Sequence, residues 1–319
     1  MKNLIAIVAG EPNSINSEII VKAWRKLKKN RNIFIIGNYS ILSKQILKLG
    51  IKISLHKINK IEDFKRGKKL IILDIPLKFK STFNVYYRDV KTYIFKSFNE
   101  AHNLAINNKI LGFINAPIDK KIFDNKYLGV TEYLSEKNKS KGKEVMLIYN
   151  NKLSVVPLTT HIEIKDITNK ITLNLIKAKI LTLNKFYLNL FKKKPKIAVL
   201  GLNPHNSENK INSVENRVIK PALIKLKKLK INISGPFPAD TAFNKKNRIT
   251  YDVIIGMYHD QVLAPFKALY GFEAINITLG LKYLRVSPDH GIARDIVGLN
   301  KANPQSLVSA INFLNKIDD

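Results

Sequence analysis

Three short apolar runs in this chain stop abruptly at a polar cluster that carries a histidine. Residues 154–158 lead into Thr159-Thr160-His161, residues 197–200 into Gly201-Leu202-Asn203-Pro204-His205, and residues 251–257 into Tyr258-His259-Asp260-Gln261. A run this short that ends in polar residues reads as a buried strand delivering those groups to its C-terminal end. In open α/β sheets that end is where ligands bind. The rest of the chain keeps the alternation. Strands are predicted at 4–9, 33–37, 70–75 and 110–114, and helices at 17–29 and 91–107. Asn150-Asn151 forms a hairpin-like turn between strands at 143–149 and 153–158. One or two helices fill 166–191, and Asn303-Pro304 opens a last helix over 305–317. Alternation of this kind predicts an α/β architecture, and 319 residues are enough for two domains. No repeat, low-complexity tract or flexible linker marks a boundary between them.

Composition narrows the class. A hydrophobic fraction of 45% and a charged fraction of 25% are those of a soluble globular protein. The chain has no cysteine, which excludes disulfides and thiolate metal sites and fits a reducing, cytoplasmic setting. The apolar opening at 4–9 is too short for a signal peptide or a membrane span, and Glu11-Pro12 closes it. No membrane association is expected. The formal net charge of +31 has two readings: a basic nucleic-acid-binding protein, or diffuse surface lysine in a chain rich in Lys, Asn and Ile together. The lysines are scattered, with brief clusters at 192–196 and 225–230, and no arginine-rich arm or aromatic-interleaved basic stripe accompanies them. The second reading is favoured, with no nucleic-acid partner. The charge can still help to capture an anionic, phosphorylated substrate.

Three sets of residues carry chemistry. His161, His205 and His259 are far apart in sequence, so no local zinc spacing is present, yet their shared placement after apolar runs suggests one divalent-metal site. Imidazole nitrogen suits zinc, cobalt and similar ions, and three ligands leave positions open for substrate. Asp260 and Asp240 are loop carboxylates able to supplement that site or to act as the catalytic proton acceptor. Asp240 can equally be a helix N-cap. Lys267, Asn276 and Arg285 form the second set, with fixed positive charge for phosphate or carboxylate. The third is the segment from Ser287 through His290, Gly291 and Asp295 to Gly298. Its glycines allow close backbone approach, and Asp295 can bind a ribose hydroxyl or cap a helix. No Gly-x-Gly-x-x-Gly follows any strand, so a nicotinamide cofactor has to bind in another way.

Taken together, Gly201-Leu202-Asn203-Pro204-His205, Met257-Tyr258-His259-Asp260-Gln261, Asn276-Ile277-Thr278-Leu279-Gly280 and Ser287-Pro288-Asp289-His290-Gly291 resemble the motifs of the 4-hydroxythreonine-4-phosphate dehydrogenases of vitamin B6 biosynthesis. The resemblance runs from Gly10-Glu11-Pro12 to the last helix. It implies a homodimer of two α/β/α domains of the isocitrate and isopropylmalate dehydrogenase type, with the active site in an interdomain cleft at the dimer interface. It also implies oxidation and decarboxylation of 4-phosphohydroxy-L-threonine with NAD or NADP and one divalent ion (Zn, Mg or Co). By the same resemblance His161, His205 and His259 match metal ligands. Thr131, Lys267, Asn276 and Arg285 match substrate contacts, and the segment from His290 and Gly291 to Asp295 is similar to an adenine-side cofactor loop. The domains expected are 1–127 with 281–319, and 128–280. Three departures stand out: Val130 replaces a histidine, and neither the 206–209 loop nor Ser14-Ile15-Asn16 has the family's glycines. Val130 makes a sibling enzyme acting on threonate or erythronate 4-phosphate the alternative within this class.

Overall fold

Branched apolar residues set the strands and amphipathic segments set the helices between them. A computed structural model describes residues 3–27, 32–124 and 126–318. In chain order its elements begin with β1 (Ile5–Val8), α1 (Asn16–Lys26), β2 (Ile33–Gly37), α2 (Tyr39–Lys48), β3 (Leu55–Ile58), β4 (Leu70–Asp74), α3 (Tyr87–Ile106) and β5 (Gly112–Asn115). Then come α4 (Val130–Lys137), β6 (Val145–Tyr149), β7 (Ser154–Pro157), α5 (Ile164–Lys170), α6 (Leu173–Phe191), β8 (Ile197–Leu200), α7 (Lys220–Lys228) and β9 (Ile233–Phe237). The last are α8 (Ala239–Ala242), α9 (Lys245–Thr250), β10 (Val253–Gly256), α10 (His259–Tyr270), β11 (Ile275–Leu279), β12 (Leu284–Pro288) and α11 (Gln305–Asp318). The first predicted helix ends at Lys26, and residues 28 and 29 of that prediction lie outside the described residues.

Contacts divide the chain into two compact units: Met1–Lys126 with Lys282–Asp319, and Tyr127–Leu281. In the first unit the strand order is β3-β4-β2-β1-β5-β12, and every neighbouring pair is parallel. β1, β2 and β5 are buried along their whole length, as strands covered on both faces are. α3 packs on β1, β2 and β5, while α11 packs on β5 and β12.

In the second unit the order is β11-β6-β7-β10-β8-β9. The β6–β7 pair is the antiparallel hairpin read around Asn150-Asn151, and β11 joins β6 antiparallel. The remaining pairs are parallel. β9 contains Pro236 and sits at the end of the order, where a missing backbone donor costs no ladder bond. Beneath the β7, β8 and β10 ends, Ile148, Val155, Leu200 and Ile254 pack with Val262, Leu263 and Phe266 of α10 in one apolar cluster. The sheet and α10 are thereby fixed to each other. Among the described residues no helix is long and apolar enough to cross a membrane.

Candidate active site

β10 lies between β7 and β8, parallel to both, with Val253 opposite Ser154 on one side and Ile197 on the other. Their C-terminal ends therefore share one edge, and the three histidine-bearing turns leave from it. The turns are tied down individually. Thr159 donates to the Met257 carbonyl twice, from its backbone N (3.2 Å) and from Oγ1 (2.7 Å). Gln261 Oε1 accepts from Met257 N at 2.7 Å, while its Nε2 donates to the Gly201 carbonyl at 2.8 Å. One amide thus joins the end of β10 to the end of β8. Gly256 is what lets α10 begin so close to its strand, since a Cβ there would meet Val262 Cγ1 at 2.6 Å.

The imidazoles of His161 and His259 face each other with ring centroids 5.7 Å apart. His259 opens α10, and its Nδ1 lies 2.6 Å from Asp260 Oδ1. With Nδ1–H given to a carboxylate, Nε2 carries the free lone pair, which is how metal-binding histidines are oriented. His205 and Asp240 line a neighbouring cavity of about 290 Å³ with Asn203, Tyr258 and Gln261. Asp240 is not a helix cap: Pro238 holds that position and Asp240 is exposed in the first turn of α8. Among the described residues of this one chain no three His, Asp or Glu side chains converge as a complete metal cage. The donor chemistry nevertheless fits a divalent ion: two adjacent imidazoles, a third on the same edge, and a carboxylate behind one of them.

The loop carrying His205 is unusual. His205, Asn206, Ser207, Glu208 and Asn209 have φ of 48°, 56°, 52°, 50° and 59°. Left-handed backbone costs L-residues roughly 1–2 kcal/mol each, so this run needs support from outside. Asn206 Nδ2 donates to the Pro236 carbonyl at 3.0 Å. Glu215, fully buried, accepts from the backbone N of Leu202 and Asn203 at 2.9 and 2.8 Å. Burial pushes the Glu215 carboxyl up, but hydrogen bonds led by Asn203 outweigh it and hold the pKa below the usual carboxylate value.

The proposed anion-binding residues are spread out. Lys267 lies in the last turn of α10, eight residues and roughly 12 Å of helix from His259, so one chain does not bring them together. Asn276 is on β11 with a buried Oδ1 that has no partner. Thr131 is half-buried in the first turn of α4, next to Val130, which is 8% exposed and offers only packing where a histidine was expected.

In the first unit, Arg285 is 3% exposed on β12, and its Nε donates to Asn115 Oδ1 at 2.7 Å. His290, Gly291 and Asp295 lie on the loop after β12. That loop is pinned where Ile15 N donates to the Ile292 carbonyl at 3.4 Å and where Arg294 pairs with Asp119 at 2.6 Å. Asp295 falls in a 3₁₀ turn and is exposed. The first loop lacks glycines at 14–16 because a side chain holds it: Asn16 Nδ2 donates to the carbonyls of Ala9, Glu11 and Pro117 at 2.9, 3.3 and 2.7 Å. Gly10 must be glycine, at φ 71° with Pro117 O and Ala116 O within 2.8 Å of any Cβ.

Beside this loop Glu11 is 3% exposed, and burial raises its pKa, with a weaker contribution from Asp119 and opposition from the Asn13 N–H. A carboxyl raised on folding stabilises fully below its unfolded pKa, and that contribution is lost as pH rises through the folded value. Glu11→Gln, which does not titrate, is therefore expected to flatten the pH profile of Tm and to gain on the parent from acidic to alkaline pH. Parallel Tm profiles for the two proteins would contradict the assignment.

The pyridoxal phosphate biosynthetic protein PdxA family model matches residues 29–314, most of the chain. The chain belongs to the PdxA family. The 4-hydroxythreonine-4-phosphate dehydrogenase of Sulfurihydrogenibium sp. is 38% identical over 97% of this chain and 96% of its own length. That of Aquifex aeolicus is 36% identical over 100% and 99%. Among solved structures, the 4-hydroxythreonine-4-phosphate dehydrogenase of Klebsiella pneumoniae superposes with a TM-score of 0.86 at 28% identity, covering 99% of this chain and 100% of that one. The fold extends more distantly to the isocitrate dehydrogenase of Methylococcus capsulatus, with a TM-score of 0.50 at 11% identity over 98% and 85% of the two chains. For a PdxA family chain, sequence reading missed Glu215 and Gln261, which help brace the histidine turns. Glu215 does leave a trace, as an acidic residue in a strongly basic stretch. Gln261 leaves less, being one more polar residue in the Tyr258-His259-Asp260-Gln261 cluster.

Proposed function

We propose that this chain catalyses NAD- or NADP-dependent oxidation and decarboxylation of 4-phosphohydroxy-L-threonine to 3-amino-2-oxopropyl phosphate, in pyridoxal 5'-phosphate biosynthesis. Family membership supports the reaction, and the observation that carries the site is the His161–His259 pair with Asp260 on Nδ1 of His259. His161, His205 and His259 would hold one divalent ion. That ion supplies Lewis-acid polarisation of the oxygen on the reacting carbon. A bound nicotinamide would supply the hydride acceptor, and Asp240, the carboxylate on the cavity beside His205, would take the hydroxyl proton. The bond to the carboxylate then breaks, carbon dioxide departs, and the electron pair left on carbon takes up a proton. Asp260, already engaged by His259, orients the imidazole instead of taking the proton.

Lys267, Asn276, Arg285 and Thr131 would bind the phosphate, carboxylate and amine of the substrate, and the unpartnered Asn276 Oδ1 suits a donor such as an ammonium. His290, Gly291 and Asp295 would receive the adenosine side of the cofactor. The exposure of His161, His205 and Lys267, and the distance of Lys267 from His259, support a homodimer in which a second copy completes each site. The test is an assay of the purified protein with zinc, magnesium or cobalt, offering 4-phosphohydroxy-L-threonine beside threonate and erythronate 4-phosphates. Reduced nicotinamide and carbon dioxide are expected from the first substrate, with loss on chelation and recovery on adding metal. Turnover of the sugar-acid phosphates alone would transfer the assignment to the sibling reaction.

A further inference from the structure

Glu215 presents both of its oxygens to the turn that carries His205. Oε1 accepts from the backbone N of Leu202 (2.9 Å) and of Asn203 (2.8 Å), and from Asn203 Nδ2 (3.2 Å). Oε2 accepts from Asn203 Nδ2 (3.3 Å) and from Ser207 Oγ (3.1 Å). These donors flank His205 on both sides in sequence, and Ser207 lies within the left-handed run 205–209 that begins at His205. The carboxylate is fully buried and sits in the helical turn Glu215–Ile219, which runs straight into α7 and contacts α6, so its own position is set by structure outside the loop. A buried carboxylate is kept ionised by several converging donors, and here most of them come from one turn, with the N–H of Glu215 itself as the other.

We infer that Glu215 is a positioning residue: it gathers Leu202, Asn203 and Ser207 around its two oxygens and thereby fixes the direction in which His205 presents its imidazole to a divalent ion. The inference rests on the metal reading of His161, His205 and His259. Glutamine at this position keeps one acceptor oxygen and puts an amide N–H₂ against the remaining donors, whereas alanine removes both acceptors.

Cobalt(II) is the probe, with affinity measured by chelator competition and ligand geometry by its visible absorption. Glu215→Gln is expected to weaken cobalt binding about tenfold and Glu215→Ala about a hundredfold, the range seen when outer-shell partners of metal ligands are removed. The cobalt spectrum should change in both, while Tm of the metal-free protein falls less for Glu215→Gln, which keeps one acceptor, than for Glu215→Ala. Ser207→Ala removes a single donor from the exposed side of the turn and is expected to weaken binding about threefold, which keeps the test decisive if the Glu215 variants fold poorly. Cobalt affinity within twofold of the parent in the folded members of this set, with an unchanged spectrum, would overturn the inference. His205→Ala separates the two levels. If it loses cobalt while the Glu215 and Ser207 variants keep it, only the positioning role fails, and if it keeps cobalt, the metal reading fails.

Discussion

His259→Ala is expected to lose its divalent ion and to fall in turnover by roughly a thousandfold or more, because a bound metal contributes several kcal/mol of charge stabilisation at the reacting oxygen. The effect should be largest at this position. His259 faces His161 at 5.7 Å between ring centroids, and the Asp260 carboxylate lies on its second nitrogen. Its own ring is a third exposed and opens α10, so truncation leaves the apolar cluster beneath it intact. Metal content by elemental analysis and kcat with added zinc, magnesium or cobalt test this directly. Asp260→Asn should give a milder defect, about ten- to a hundredfold in metal affinity, because it weakens orientation without removing a ligand. Stoichiometric metal in alanine variants of His161, His205 and His259 alike would remove the site from the reading.

Arg285→Ala is expected to raise KM for the phosphorylated substrate by roughly tenfold to more than a hundredfold, the equivalent of about 1.5–3 kcal/mol for a lost charged hydrogen bond. Stability should fall as well. Arg285 is 3% exposed, and its removal leaves the buried Asn115 Oδ1 without the donor that now sits 2.7 Å away. Arg285→Lys keeps the charge but not the planar fork, so an intermediate KM is expected. Parallel measurement of KM and Tm separates the two consequences. A KM unchanged in both variants would confine Arg285 to a structural role.

Much of this arrangement could be read from residues alone. The three apolar runs ending in histidine became β7, β8 and β10, and the shared edge follows from their parallel order, which no single run could reveal. The hairpin around Asn150-Asn151 and the pair of helices over 166–191 were also legible, because turn chemistry and helical period both act locally. The elements around the site were harder. α10 holds Pro265 inside it and starts with three polar residues that, with Tyr258 at the N-cap, look like loop. β9 is interrupted by Gly235-Pro236, and β12 carries a buried arginine. Each departs from local propensity where the chemistry needs it to. The 206–209 loop shows the same limit from another direction. Without glycines it still takes a left-handed path, because Glu215 and the Pro236 carbonyl hold it from a distance in sequence.

The path of the chain through its two units has a consequence for biosynthesis. Tyr127–Leu281 is a continuous stretch set between β5 and β12, which are neighbours in the first unit. On the ribosome, every strand of the inserted unit is synthesised before the sixth strand of the first unit. The segment synthesised first is therefore completed last, and until then the β5 edge that later receives β12 is unpaired and open to wrong partners. Once folded, the insert replaces a long floppy loop with a compact body, so the search of β12 for β5 becomes a short-range event. Chains ending at residue 281 and carried clear of the ribosome by a flexible C-terminal linker should thus protect the insert from protease while leaving the N-terminal segment open to cleavage.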